Sequence, residues 1–249
     1  MPQLGSHLYS AYVVADRLQS STIEADRGAF FLGSTSPDIR VITRGDRADT
    51  HFFDLDHYEA QDSIKQMFSK HPDLKFRADM DTTAASFMAG YITHLVLDEL
   101  FISQIYRPYF GLYSTNQGTQ YANLLDRALQ YQMDLRDRSH VSPMTEVLTA
   151  LSSGLQLPVV PFIEQRNLEE WLIVSIDVAA QPADYSRFEK MILRHMQNTN
   201  LTDGEISDLL GDPQHLIEEA SSQVESVTLE QFWFDAHDTI EAKLIEYFK

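Results

Sequence analysis

The chain of 249 residues contains no cysteine. Disulfides and thiolate metal sites are thereby excluded, and any metal must be held by nitrogen and oxygen. Basic residues are scarce: 19 Lys and Arg stand against 37 Asp and Glu, a formal net charge of −18. Such a surface repels nucleic-acid backbones and anionic lipid head groups, so no nucleic-acid partner is expected. The exclusion concerns the general surface, because a bound cation can reverse the field inside a cleft. Glycine (10) and proline (9) are few, and no stretch is low in complexity, so nothing favours disorder. No continuous apolar run reaches the length of a bilayer span. The first residues, MPQLGSHLYSAYVVADRL, have neither a basic n-region nor an apolar h-region. The expectation is a cytoplasmic protein with no transmembrane segment and no signal peptide.

What is present is a helical pattern backed by 43% hydrophobic residues, enough to fill a core. Helices are predicted from after Gly5-Ser6 to about 19, over 24–32, 58–69, 82–106, 120–137, 143–151, 162–179, 185–197, 203–210, 213–222 and 229–248. Gly33 reads as the residue that ends the second helix, with 34–38 a loop. Residues 40–56 read as irregular, with Ile39 to Ile42 a short extended run. Strand content is too sparse for a sheet. The fold class is therefore all-α, a multi-helix bundle around a buried central helix at about 84–106. Residues 154–161 (GLQLPVVP) stop any helix at two prolines. They read as a loop inside a single domain of 1–249, or as a boundary between 1–153 and 162–249.

The central segment AASFMAGYITHLVLDELFISQIY is apolar on every face, the mark of a buried helix. Yet it carries His94 and Asp98, four residues apart and so on one face. A buried ionised Asp is costly unless it is paired or bound to metal. Alone, His-x-x-x-Asp is a common helical pair that only satisfies itself. Upstream stand three further candidates. Asp38 follows Pro37, which stiffens its turn. His51 lies between a polar loop and two aromatics. His7 sits at the start of the first helix, where a neutral imidazole is preferred to a cation. Three imidazoles and two carboxylates suit zinc and tolerate manganese or iron. Tyr91 shares the His94 face and His57 follows an acidic pair, so both are candidates for supporting groups. His71, His140, His195 and His215 read as surface residues, and His237 as part of a surface amphipathic helix.

Over about residues 5–105 the chain resembles the zinc-dependent phospholipase C family, grouped with single-strand-specific nucleases in one all-helical superfamily. The likeness rests on His7, on Gly33 to Asp38 (GSTSPD), on Thr50-His51-Phe52 and on Ala89 to Asp98 (AGYITHLVLD). It implies that Asp38, His51, His94 and Asp98 hold a first zinc, and that Asp98 bridges to a second ion shared with His7. It also implies a metal-activated water attacking phosphorus, with Asp38 as general base. The family's His-x-x-x-Glu helix has no counterpart after Asp98, so one or two ions are expected and not three. The substrate expected is a small-molecule phosphoester, with a head group small or zwitterionic to suit the acidic surface. Two other readings stay open: a metal-dependent enzyme of another reaction class, or a non-catalytic helical protein with a structural zinc.

Overall fold

The computed structural model describes residues 1–55, 57–75, 80–115, 118–196 and 211–249, with side chains of 194–196 left aside. The helix expected over 203–210 and the His195 side chain lie outside the described residues. Among the described residues no β-strand forms; Val160 and Ile163 make one isolated antiparallel bridge. The elements are α1 (Leu4–Leu18), α2 (Ser21–Ala25), α3 (Arg27–Thr35), α4 (Arg40–Thr43), α5 (Ala48–His51), α6 (Ser63–Lys70), α7 (Thr82–Phe101), α8 (Gln120–Arg138), α9 (Val141–Leu151), α10 (Gln165–Ala180), α11 (Phe188–Met196), α12 (Pro213–Ser222) and α13 (Ser226–Tyr247). The chain is all-α, as its periodicity predicts.

α7 is the axis. Asp81 caps it by accepting from the Ala84 N–H at 2.7 Å, and every residue from Ala84 to Asp98 is buried. α1, α3, α6 and α13 pack on it. By length and composition, residues 82–110 could cross a membrane, but 89% of the window is buried inside the protein. Counting only uninterrupted apolar residues misses this, because Ser86, Thr93 and His94 punctuate the run. Beyond Phe101 the helix continues in π register through Ile102–Phe110. The Gly111 N–H bonds the Tyr106 carbonyl five residues back, and this wider turn carries the chain past Pro108, which has no N–H to give.

α3 lies closest to α7, and two glycines explain the approach. A Cβ on Gly33 would collide with the Phe87 carbonyl, and a Cβ on Gly90 with the Phe30 carbonyl. Gly33 is thus inside its helix and does not end it: its missing side chain lets two backbones meet. Asp26 holds the other end of the pair, accepting from Ala29 N–H and from the Thr83 hydroxyl at 2.7 Å. Phe30, Phe31 and Phe87 fill the space around the crossing and are fully buried, worth about 1.5–3 kcal/mol each.

The expected extended run at Ile39–Ile42 is instead helical. Residues Ser36–Ile39 form a 3-10 turn and pass directly into α4. Its β-branched side chains favour a strand only where a neighbouring strand exists to pair with. α13 also departs from its predicted surface position, since Phe232, Trp233, Ala236, His237, Ile240 and Leu244 are buried against the core.

Candidate metal centre

Five side chains from four separate elements meet beside α7. His7 comes from the second turn of α1, and its ring stacks on His94 with centroids 3.6 Å apart and planes 7° from parallel. His94 and Asp98 project from one face of α7. Asp38 stands on the 3-10 turn with Pro37 at the first position, where a fixed φ suits helix entry. That turn is seated from behind by Thr35, whose hydroxyl meets Ser175 at 2.8 Å and accepts from the Trp171 indole N–H at 3.2 Å. His51 is the last residue of α5. The next residue, Phe52, has φ 53°, a left-handed conformation that a bulky side chain adopts at a cost. Burial and edge contacts of Phe52 to His71 and Phe162 offset that cost.

The separations are informative. Asp98 Oδ1 lies 3.4 Å from His7 Nε2, and Oδ2 lies 3.5 Å from His51 Nε2 and 3.6 Å from His94 Nε2. Asp38 Oδ1 is 3.4 Å from His51 Nε2. These are too long for N–H···O hydrogen bonds. Donors at 2.0–2.1 Å on a tetrahedral zinc stand about 3.3–3.4 Å apart, which is the spacing seen. Each of His7 Nε2, His51 Nε2, His94 Nε2 and Asp98 Oδ1 is buried with no hydrogen-bond partner. Orphaned polar atoms of this kind are rare in a core and call for an explanation. Two overlapping groups, His7/His94/Asp98 and Asp38/His51/His94, bring their donor atoms close enough to hold an ion.

The far side of each ring fixes which nitrogen is free. His94 Nδ1–H donates to the Ser34 carbonyl at 2.8 Å, which leaves the Nε2 lone pair facing the cluster. His51 Nδ1 meets the Thr50 hydroxyl at 3.1 Å, and the Tyr91 hydroxyl donates to the Thr50 carbonyl. Burial lowers His7 to about 4, helped by the neighbouring His94, and burial also lowers His51. Both rings are therefore neutral at neutral pH, the form that binds metal. Burial opposes a charge on His94 too, but Asp98, Asp38 and the Ser34 carbonyl outweigh it and raise its pKa. Burial likewise works against the two carboxylates, yet His94 and His7 hold Asp98 well below its ordinary value, and His51 and His94 lower Asp38. The donor set is thus nitrogen and oxygen, largely deprotonated, and fits zinc.

All five residues singled out in the sequence converge. Tyr91 is buried behind them as a support for the α5 turn. His57 is not: it is exposed, 3.7 Å from Glu59, and only its carbonyl is used, accepting from Arg107. His237 is buried elsewhere, near Ser10, and burial with Arg17 lowers it to about 4. Sequence reasoning missed Arg47, whose Nη2 donates to Asp98 Oδ2 at 3.0 Å. Its place four residues before His51 was the available signal. It also missed α8, where Asp126, Gln130, Asp134 and Arg138 recur at four-residue spacing on a buried face. That face meets the start of α1, with Ser6 N–H donating to Asp134. The Met1 amine is enclosed there; burial lowers it to about 5, while Asp126 and Asp98 pull it back up.

Fold and site together define an all-helical protein with a buried His/Asp cluster able to hold metal. Residues 3–100 match the family model described as zinc dependent phospholipase C, a span that contains all five cluster residues and ends just after Asp98. No curated protein and no solved structure gives a significant match.

Proposed function

We propose that this chain is a zinc-dependent hydrolase of phosphoric esters. The observation that carries the reading is the coincidence of the zinc dependent phospholipase C match over 3–100 with unpaired, metal-spaced donors on residues inside that span. Asp38, His51, His94 and Asp98 hold one ion, and Asp98 extends toward a second with His7. When bound, zinc polarises a phosphoryl oxygen and brings the pKa of water toward neutrality. Asp38 alone of the set is partly accessible, with 19% of its side chain exposed against 4% or less for the others at the cluster. It stays ionised, and its carboxylate accepts the proton of the attacking water. Arg47 fixes the plane of Asp98 through its 3.0 Å contact, and the stacked His7 and His94 rings exclude water from the inner side.

The burial of four of the five donors favours a second reading, a closed structural zinc. One experiment separates them. Metal content per chain is measured on protein purified without chelator, beside hydrolysis of phosphomonoesters and phosphodiesters, for the wild type, Asp98→Asn and Asp38→Asn. Zinc bound and ester cleaved, with both lost in Asp98→Asn and rate falling about 10²-fold or more in Asp38→Asn, supports the hydrolase. Zinc bound with no cleavage of any ester supports the structural ion. A metal-free wild-type chain sinks both.

A further inference from the structure

We infer that the cleft opening beside Asp38 is a receptor for the phosphate dianion of a phosphomonoester, held by Arg40, Arg127 and Lys190. The binding claim rests on the cleft itself; that the bound phosphate is the group cleaved rests on the function proposed above.

The cleft has a volume of about 820 Å³ and runs between the start of α1, the Asp38 turn, α8, the end of α10 and α11. Its charge inverts that of the chain. Arg40, Arg127, Arg138, Arg187 and Lys190 line it, against only Asp38 and Asp134, in a sequence where acids outnumber bases by 37 to 19. Two of the five cations are engaged. Arg138 Nε bonds Asp134 Oδ2 at 2.7 Å and its Nη1 bonds the Pro182 carbonyl, while Arg187 pairs with Asp177 at 2.9 Å. The other three have no carboxylate within ion-pair distance among the described residues. Arg40 Nε is buried with no partner. Arg127 Nη1 donates to the neutral Gln130 oxygen at 2.9 Å, and Gln130 is itself fixed by donating to Asp126 at 2.7 Å. Arg127 is therefore aimed by a relay and not neutralised by it.

A buried guanidinium N–H without an acceptor is a standing penalty, and an anion in the cleft removes it. The planar fork of Arg matches phosphate oxygens in pairs, which a point charge does not. Charge selects among phosphates. A monoester carries close to two negative charges at neutral pH and a diester one. A zwitterionic head group would bring its own cation against three others. The overall acidity of the chain suggests a small or zwitterionic ligand; the local cleft selects the opposite.

The test uses full-length protein as purified, with metal content measured for every variant. Inorganic phosphate, glycerol 3-phosphate and phosphocholine are titrated by calorimetry. Sedimentation is followed with phosphatidylcholine vesicles with and without phosphatidic acid. Expected is one-to-one binding of phosphate and glycerol 3-phosphate, at least tenfold weaker in Arg127→Gln and in Lys190→Gln, with metal content and thermal midpoint unchanged. Arg166→Gln, exposed on α10 and paired with Glu170, should bind like the wild type. Arg127-dependent sedimentation with phosphatidic acid vesicles assigns the phosphate to a lipid; binding of the soluble ester alone assigns it to a free metabolite. No binding, binding undiminished in Arg127→Gln, or tighter binding of phosphocholine overturns the inference. Arg127-dependent phosphate binding without hydrolysis of any ester would leave the cleft standing and remove the proposed function instead.

Discussion

Zinc should act on this fold as a folding ligand, and the size of the effect follows from the cluster. Without an ion, three imidazole Nε2 atoms and Asp98 Oδ1 are buried and unpaired. Each such group costs about 1–3 kcal/mol, a serious burden against a typical total of about 5–15 kcal/mol. Any ion that binds only the folded chain adds RT ln(1 + [L]/Kd), about 2.7 kcal/mol at a hundredfold excess over Kd and about 1.4 kcal/mol more per further decade. For a chain of this length each kcal/mol moves the thermal midpoint by about 2–4 °C. A hundredfold excess of zinc should thus raise it by about 5–11 °C over chelated protein. The assay is differential scanning calorimetry across a buffered series of free zinc, with Asp98→Asn in parallel. The variant keeps the shape of the side chain but loses the anionic donor, so its midpoint should barely respond. Identical midpoints with and without zinc in the wild type, or an equal rise in Asp98→Asn, would refute the assignment of these residues to a metal.

Other consequences are equally direct. Gly90→Ala should lose about 2 kcal/mol or more in urea unfolding, because the clash with the Phe30 carbonyl outweighs the better helix propensity of Ala; a gain in stability would sink the close-approach argument. Thr50→Val removes the hydroxyl that meets His51 Nδ1 at 3.1 Å and should weaken zinc binding about 10–100-fold in competition titrations, with little change in zinc-free stability. His237 is lowered from 6.5 to about 4 by burial, Arg17 and Arg136. A depressed histidine leaves the unfolded chain binding the extra proton, so stability is intact above pH 6.5 and falls as pH drops toward 4, by about 3 kcal/mol in all. His237→Gln should flatten that part of the pH–stability curve, and an unchanged slope would show that the loss arises elsewhere.

The central helix and its two site residues were legible because burial and spacing are both written locally: a segment apolar all round with His94 and Asp98 four apart admits few other arrangements. The upstream partners were legible only as a set. Where sequence reasoning failed, one residue type served two physical ends. Gly33 has the look of a helix terminator, but the absence of a Cβ equally permits a backbone to pass, and only the position of Gly90 on a distant helix decides. The run at Ile39–Ile42 carries strand-favouring side chains, yet with no strand to pair with it coils into the turn that presents Asp38. Phe234 and Ile245 on α13 are exposed, so its pattern looked like a surface helix; the buried stripe that includes His237 finds its cover in α1 and α7, far away in sequence. The cationic cleft was invisible for a related reason. Arg40, Arg127 and Lys190 are scattered along the chain, and the overall charge argues against any such gathering.

The glycine crossing has a consequence for which ions the cluster can accept. α3 leads straight into the Asp38 turn and its Ser34 carbonyl steadies His94, while α7 carries His94 and Asp98 themselves. Because the two backbones already touch, the gap between these donors is set like the opening of a gauge with no adjusting screw. A wider ion such as calcium, which asks for six to eight oxygens at 2.3–2.6 Å, would have to force apart two helices that have no side chains to compress. A cation near the radius of zinc enters without moving anything. Discrimination by size is then a property of the scaffold, fixed before any ion arrives.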